Sequence, residues 1–133
     1  DRGVMRRRGP RSFEPFDRVT GLASSWALDV LGLSSDSALF GSLSSGLLPI
    51  GAVEAHLPTS LSPWILHLGR SQRVPGRVFV GTQGGAALLE GQTSQVFEDL
   101  PDQRVHAITE LASGIWVGTE GGLARYPLPP ETT

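Results

Sequence analysis

Three glycines set the frame of this chain. Gly41, Gly81 and Gly118 each follow two apolar residues and precede a hydroxyl residue: Leu39-Phe40-Gly41-Ser42, Phe79-Val80-Gly81-Thr82 and Trp116-Val117-Gly118-Thr119. The glycines are 40 and 37 residues apart. A unit of that length holds several short strands but cannot bury both of its own faces. A chain with this period is therefore expected to stack its units against one another.

The third copy is the clearest. Val105 to Glu110 has few turn formers and reads as a strand, and Ala112-Ser113-Gly114 is a turn cluster. Ile115 to Thr119 is almost wholly apolar, which suits a strand covered on both faces. Glu120-Gly121 fits a two-residue hairpin with glycine supplying positive φ, and Leu123 to Tyr126 returns. Gly118 and Gly122 mark positions of close backbone approach, because glycine otherwise weakens a strand. The middle copy has strands at Trp64–Leu68, Arg77–Thr82, Gly85–Leu89 and Ser94–Phe97, with a loop at Gly69–Gly76 and a hairpin at Gln83-Gly84. The first copy is the most degenerate, with strands at Trp26–Leu33, Ala38–Ser42, Gly46–Ile50 and Ala52–Leu57. Seventeen glycines and ten prolines favour many short elements over long helices.

Trp116-Val117-Gly118-Thr119-Glu120-Gly121-Gly122-Leu123, preceded by Val105-x-Ala107-Ile108, resembles the repeat of the two-component regulator propeller family. The resemblance implies a β-propeller in which each repeat is a blade. It also implies a sensor-type role in bacterial signalling proteins and a periplasmic or extracellular setting. Its motif residues here are Phe79, Gly81 and Thr82 in the second copy and Trp116, Gly118, Thr119 and Gly122 in the third.

The expected fold is all-β, with about three antiparallel four-stranded blades in an incomplete ring that needs a partner chain. The units are a basic arm at 1–17, a degenerate first blade at 18–57, a second at 58–103, a third lacking its outer strand at 104–127, and a tail at 128–133. Propellers close with about four to eight blades, so three leave two open faces. Self-association or another protein is expected to cover them. Ser12 to Phe16 is a candidate closing strand for 122–126, in its own chain or in a neighbouring one, set against the alternative of a loosely packed arm. Trp26, Trp64 and Trp116 are expected to pack between blades, because their large area favours burial.

Charge is uneven. Residues 1–18 hold six arginines against three acids, and the remainder holds five arginines against ten acids. Arg6, Arg7, Arg8 and Arg11, with Phe13 and Phe16, form the candidate partner-binding arm; the alternative is a solvated tail. No aromatic residue interleaves the arginines of 2–11, which argues against nucleic acid. No apolar run approaches about 18 residues, so no membrane span is expected. The arginines are not followed by the apolar run of a signal peptide.

The chemistry-bearing residues are few. Cysteine is absent, which removes disulfides, thiol nucleophiles and thiolate metal sites. His56, His67 and His106 have no metal-ligand spacing. His67 and His106 lie on corresponding strands and are the candidate ligand face; the alternative is a structural role. Glu98, Asp99 and Asp102 share one loop without a calcium-loop pattern. No Gly-x-Ser-x-Gly elbow occurs, and the Gly-rich pieces lack the lysine and helix of a phosphate loop. The chain is thus expected to use no cofactor and no metal and to be no enzyme. The leading expectation is a binding module for a protein, peptide or small ligand. The alternative is an assembly subunit tethered by its arginine arm.

Overall fold

A computed structural model of the chain describes residues 5–9, 12–15, 27–42, 46–50, 56–91 and 93–129. Twelve strands run through them, in order β1 (Met5–Gly9), β2 (Ser12–Pro15), β3 (Ala27–Ser34), β4 (Ser37–Ser42), β5 (Leu47–Ile50), β6 (Ile65–Arg70), β7 (Arg77–Thr82), β8 (Gly85–Glu90), β9 (Thr93–Val96), β10 (Val105–Leu111), β11 (Gly114–Thr119) and β12 (Gly122–Tyr126). Ten of them form three antiparallel sheets, ordered β3-β4-β5, β6-β7-β8-β9 and β10-β11-β12; β1 and β2 form a separate hairpin. Among the described residues there is no helix, and hence none long and apolar enough to cross a membrane.

The apolar runs explain this stacking. All six residues of β7 are buried. Side chains alternate across a strand, so β7 feeds two cores at once. Val78 and Val80 join Leu39 of the first sheet, with Ile65 and Leu68, in one cluster. Phe79 joins Val105, Ile108, Ile115 and Val117 of the third sheet in another. The middle sheet is therefore sandwiched. The three leading strands lie side by side, with β6 touching both β3 and β10.

The three copies share local devices below the level of sequence pattern. In each, the hydroxyl after the motif glycine closes the hairpin. Ser42 Oγ donates to the Gly46 carbonyl at 3.1 Å, and Thr82 and Thr119 donate to the Gly85 and Gly122 carbonyls at 2.8 Å. The two threonines also accept the N–H of Gly84 and Gly121, so the turn donor is satisfied internally. The positive φ falls one residue later than the sequence suggests, on Gly85 and Gly122 at the start of the returning strand. The hydroxyl cap holds the turn itself, and the strained angle moves to the exit.

A bulge recurs at one register. The pairing shifts between Ala27 and Asp29, between Ile65 and His67, and between Val105 and Ala107. One residue is extra in each leading strand, which bends it and increases its twist. Nothing in the hydropathy pattern signals it.

Several expectations need correction. Among the described residues only the middle sheet has four strands; the first has three instead of four, while the third has the three expected of a blade without its outer strand. Most of the outer strand expected at 52–57 lies outside the described residues, and His56 and Leu57 are not in a strand. The segment beginning at Ser12 is a strand, but β1 is its partner, with Arg6 opposite Glu14 and Arg7 opposite Phe13. It does not pair with β12. Only two residues separate β1 from β2, and so short a closure costs far less entropy than a long-range one. Trp64 precedes β6 and is 39% exposed, and Trp116 is half-buried, so neither packs between two sheets; Trp26 lies outside the described residues.

Candidate functional site

The joint between successive sheets is built the same way twice. Ile65 opens β6 and Val105 opens β10, opposite Thr82 and Thr119 in their own sheets. Each presses on the motif glycine of the preceding sheet. A Cβ on Gly41 would overlap the Ile65 side chain, and one on Gly81 would sit 2.8 Å from Val105 Cγ1 and 3.1 Å from the Val105 carbonyl. A backbone bond accompanies each contact. Gly46 N–H donates to the Pro63 carbonyl at 3.0 Å, and Gly85 N–H to the Gln103 carbonyl at 2.6 Å, both two residues before the next leading strand.

Polar side chains add a second tie at a fixed register. Asp29 and His67 sit opposite the motif glycines Gly41 and Gly81. Asp29 Oδ2 accepts the Leu68 N–H at 2.8 Å, and the His67 Nε2 lies 3.2 Å from the Ile108 carbonyl. Leu68 and Ile108 hold the same place in their sheets, opposite Val80 and Val117. Glu110 forms a third tie. Its carboxylate accepts the Ser71 hydroxyl and the N–H groups of Gln72 and Arg73, pinning the 71–76 loop of the middle sheet to β10.

In the third sheet nothing among the described residues occupies the corresponding joint. A Cβ on Gly118 would meet only the Ala107 carbonyl of its own sheet, at 3.8 Å. Gly122 N–H makes no cross-sheet bond among the described residues, unlike Gly46 and Gly85. Around this slot Leu111 and Leu123 are 50% and 63% exposed. Trp116 is half-buried on the same face, its indole N–H on Ser113 Oγ at 3.1 Å and the Arg125 guanidinium 5.9 Å from its ring centre.

The sequence singled out other residues that the structure disperses. His67 and His106 are on corresponding strands but at different registers; His106 is the extra residue of the β10 bulge. His106 pairs with Glu120 on the surface. Among the described residues no hydroxyl bonds to either ring. Arg6, Arg7, Arg8 and Phe13 lie on the β1–β2 hairpin, and Arg11 and Phe16 lie outside the described residues. No group of three or more histidine, aspartate or glutamate side chains is arranged to hold a metal among the described residues. Asp29 and Glu110 were missed. Asp29 carried a signal, an acid inside a largely apolar strand, which must find donors to be tolerated there; Glu110 shares β10 with His106 and Thr109 and carried none.

One hollow lies at the rim. It has a volume of about 630 Å³ between β9 and the segment after β12, lined by Val96, Phe97, Ile115, Tyr126 and Leu128. Its polar side chains are Gln95, Glu98, Asp99 and the Tyr126 phenol. Tyr126 stacks on Phe97 at 4.9 Å and donates its hydroxyl to the Glu98 carbonyl at 2.7 Å. Burial first, and the Asp99 carboxylate second, push its phenol above the usual value. A raised folded-state value means that the Tyr126 contribution to stability is intact below about pH 10, where the unfolded phenol titrates, and is lost as pH rises through the folded value. It is the only tyrosine in the chain, so absorbance titration reads it alone. The native midpoint is expected above that of the denatured chain, and equal midpoints would refute the contact.

No family model matches the chain, and neither a curated protein nor a solved structure does.

Proposed function

We propose that the chain is a non-catalytic interaction module whose three sheets are successive β-propeller blades. The observation that supports it is the recurring joint. Ile65 against Gly41 and Val105 against Gly81 stack one sheet on the next, and among the described residues no side chain fills the same seat at Gly118. A stack of this kind presents an apolar end that favours a protein partner over solvent. The half-empty seat suits recognition of another sheet better than capture of a small molecule, because its features are a shape match to a strand and a backbone donor. The resemblance to two-component regulator propeller repeats agrees with this reading and adds a sensor-type setting. The exposed end also suits an assembly subunit, and both roles use the same face.

The non-catalytic half of the reading is tested by turnover. The purified chain, with His67→Ala and His106→Ala beside it, is assayed on ester, phosphoester, glycoside and peptide substrates. No turnover above background is expected from any of the three. Turnover by the parent that either substitution abolishes would overturn the reading.

A further inference from the structure

We propose that the outer edge of β12 takes an extended peptide segment of a partner protein as a fourth, antiparallel strand. The proposal deepens the interaction-module reading and rests on it. The middle sheet displays the arrangement. There β9 lies along β8, with Val96 opposite Ala87 and Ser94 opposite Leu89, and the Phe97 N–H donates to the Ala86 carbonyl at 3.0 Å. Leu123 holds in β12 the place of Ala86 in β8, since Leu123 lies opposite Gly118 and Ala86 opposite Gly81. In an antiparallel ladder every second residue turns both of its backbone groups to the same edge, so those of Leu123 and Arg125 point away from β11. Among the described residues neither has a backbone partner on that side. Nor does anything among them turn back along β12. β8 ends at Glu90, which pairs with Thr93 across a tight turn, whereas β12 ends at Tyr126 and runs on through Pro127 and Pro129. Proline lacks the N–H that such a closing pair requires.

The hollow at the rim gives the added strand its side-chain seats. Ile115 and Tyr126 line it from the third sheet, and Leu88 and Val96 from the middle one. Side chains of a strand alternate, so every second residue of the peptide enters it, and the lining selects apolar ones. Glu98 and Asp99 stand exposed at its border with no ion pair among the described residues, which favours a lysine or arginine beside the apolar positions. The main-chain ladder supplies affinity and the alternate seats supply selectivity. A second copy docked through its own β12 does not fit. An antiparallel pair of that kind places both middle sheets on one side, and each is a strand wider than its third sheet, so the two β9 strands would collide.

The test is titration of the whole chain with capped peptides, read by affinity and by amide hydrogen exchange. The probe alternates valine and threonine, carries a lysine at each end and is about eight residues long, an ordinary strand length. Binding is expected to saturate. At saturation, exchange at Leu123 and Arg125 is expected to slow about tenfold or more, while Ala124, whose groups face β11, is unchanged. The same peptide with a central proline loses a ladder donor and is expected to bind about tenfold more weakly. Glu98→Lys, at an exposed position, is expected to weaken the lysine peptide about two- to fivefold, and to favour by a like factor a peptide with glutamates in place of the lysines. Binding without protection of Leu123 and Arg125 overturns the proposal, because the peptide then lies elsewhere. So does the absence of saturable binding by the lysine peptide, or equal binding of the proline peptide. Protection of the same two amides in a dimer of the chain alone would assign the edge to a second copy and also overturns it. Absence of binding without turnover leaves the interaction-module reading standing, whereas turnover ends that reading whatever the edge of β12 does, so the two failures are distinguishable.

Discussion

Phe79→Ala is expected to destabilise the chain by about 3–5 kcal/mol. Phe79 is 1% exposed and packs with Ala86 and Leu88 of its own sheet and with Val105, Ile108, Ile115 and Val117 of the next. Its ring is the largest fully buried side chain in that joint, and the packed strands on both sides leave little room to collapse on the cavity. Trp116 holds the equivalent place, two residues before the motif glycine, in a sheet that no further sheet follows among the described residues. Trp116→Ala is expected to cost only about 1 kcal/mol in dilute solution, the range of partly exposed positions. Denaturant unfolding measures both, with the midpoint shifting and the slope unchanged. Equal costs for the two would mean that the third sheet is covered after all, and the open-end account would fail. Tryptophan is the larger residue, so an argument from side-chain area alone ranks the two the opposite way.

That reversal marks the boundary of what the sequence discloses. The apolar runs at Arg77–Thr82 and Ile115–Thr119 read as strands because β-branched and aromatic residues recur between turn formers, and both are strands. The hairpins at Gln83-Gly84 and Glu120-Gly121 were equally legible, because a small polar residue and glycine leave few alternatives. Burial was not legible. Phe79 and Trp116 look alike locally, and only the presence or absence of a following sheet separates them. The bulges after Ala27, Ile65 and Val105 escaped because a bulge costs one unpaired residue and needs no particular side chain. The inter-sheet ties of Asp29, His67 and Glu110 escaped because a single sequence does not say which backbone group lies opposite a side chain 37 to 41 positions away. The pairing of β2 was misread by letting ring closure outrank the nearest available strand.

Gly81→Ala is expected to destabilise by about 1–3 kcal/mol, as overpacked sites do. The added carbon would lie 2.8 Å from Val105 Cγ1 and 3.1 Å from the Val105 carbonyl. The Val105 carbonyl belongs to the backbone, so that contact is relieved only by a shift of β10. Gly41→Ala meets Ile65 in the same way and is expected to behave alike. Gly118→Ala is the counterpart with the opposite sign. Its Cβ meets nothing closer than 3.8 Å, and its φ lies outside the left-handed region. Alanine there mainly restricts the unfolded chain, which stabilises by about 0.4–1 kcal/mol. Three glycines in one motif thus separate into two that are sterically obligatory and one that is not. Thermal unfolding of the three variants in dilute solution reads the signs directly. A loss at Gly118 as large as that at Gly81 would require a neighbour pressing on the third sheet within a single chain. A near-neutral Gly81→Ala would show that β7 and β10 do not meet as closely as Val105 requires. The opposite signs at Gly81 and Gly118 follow from the order of stacking, since these two motifs share the threonine cap and the positive φ at the hairpin exit.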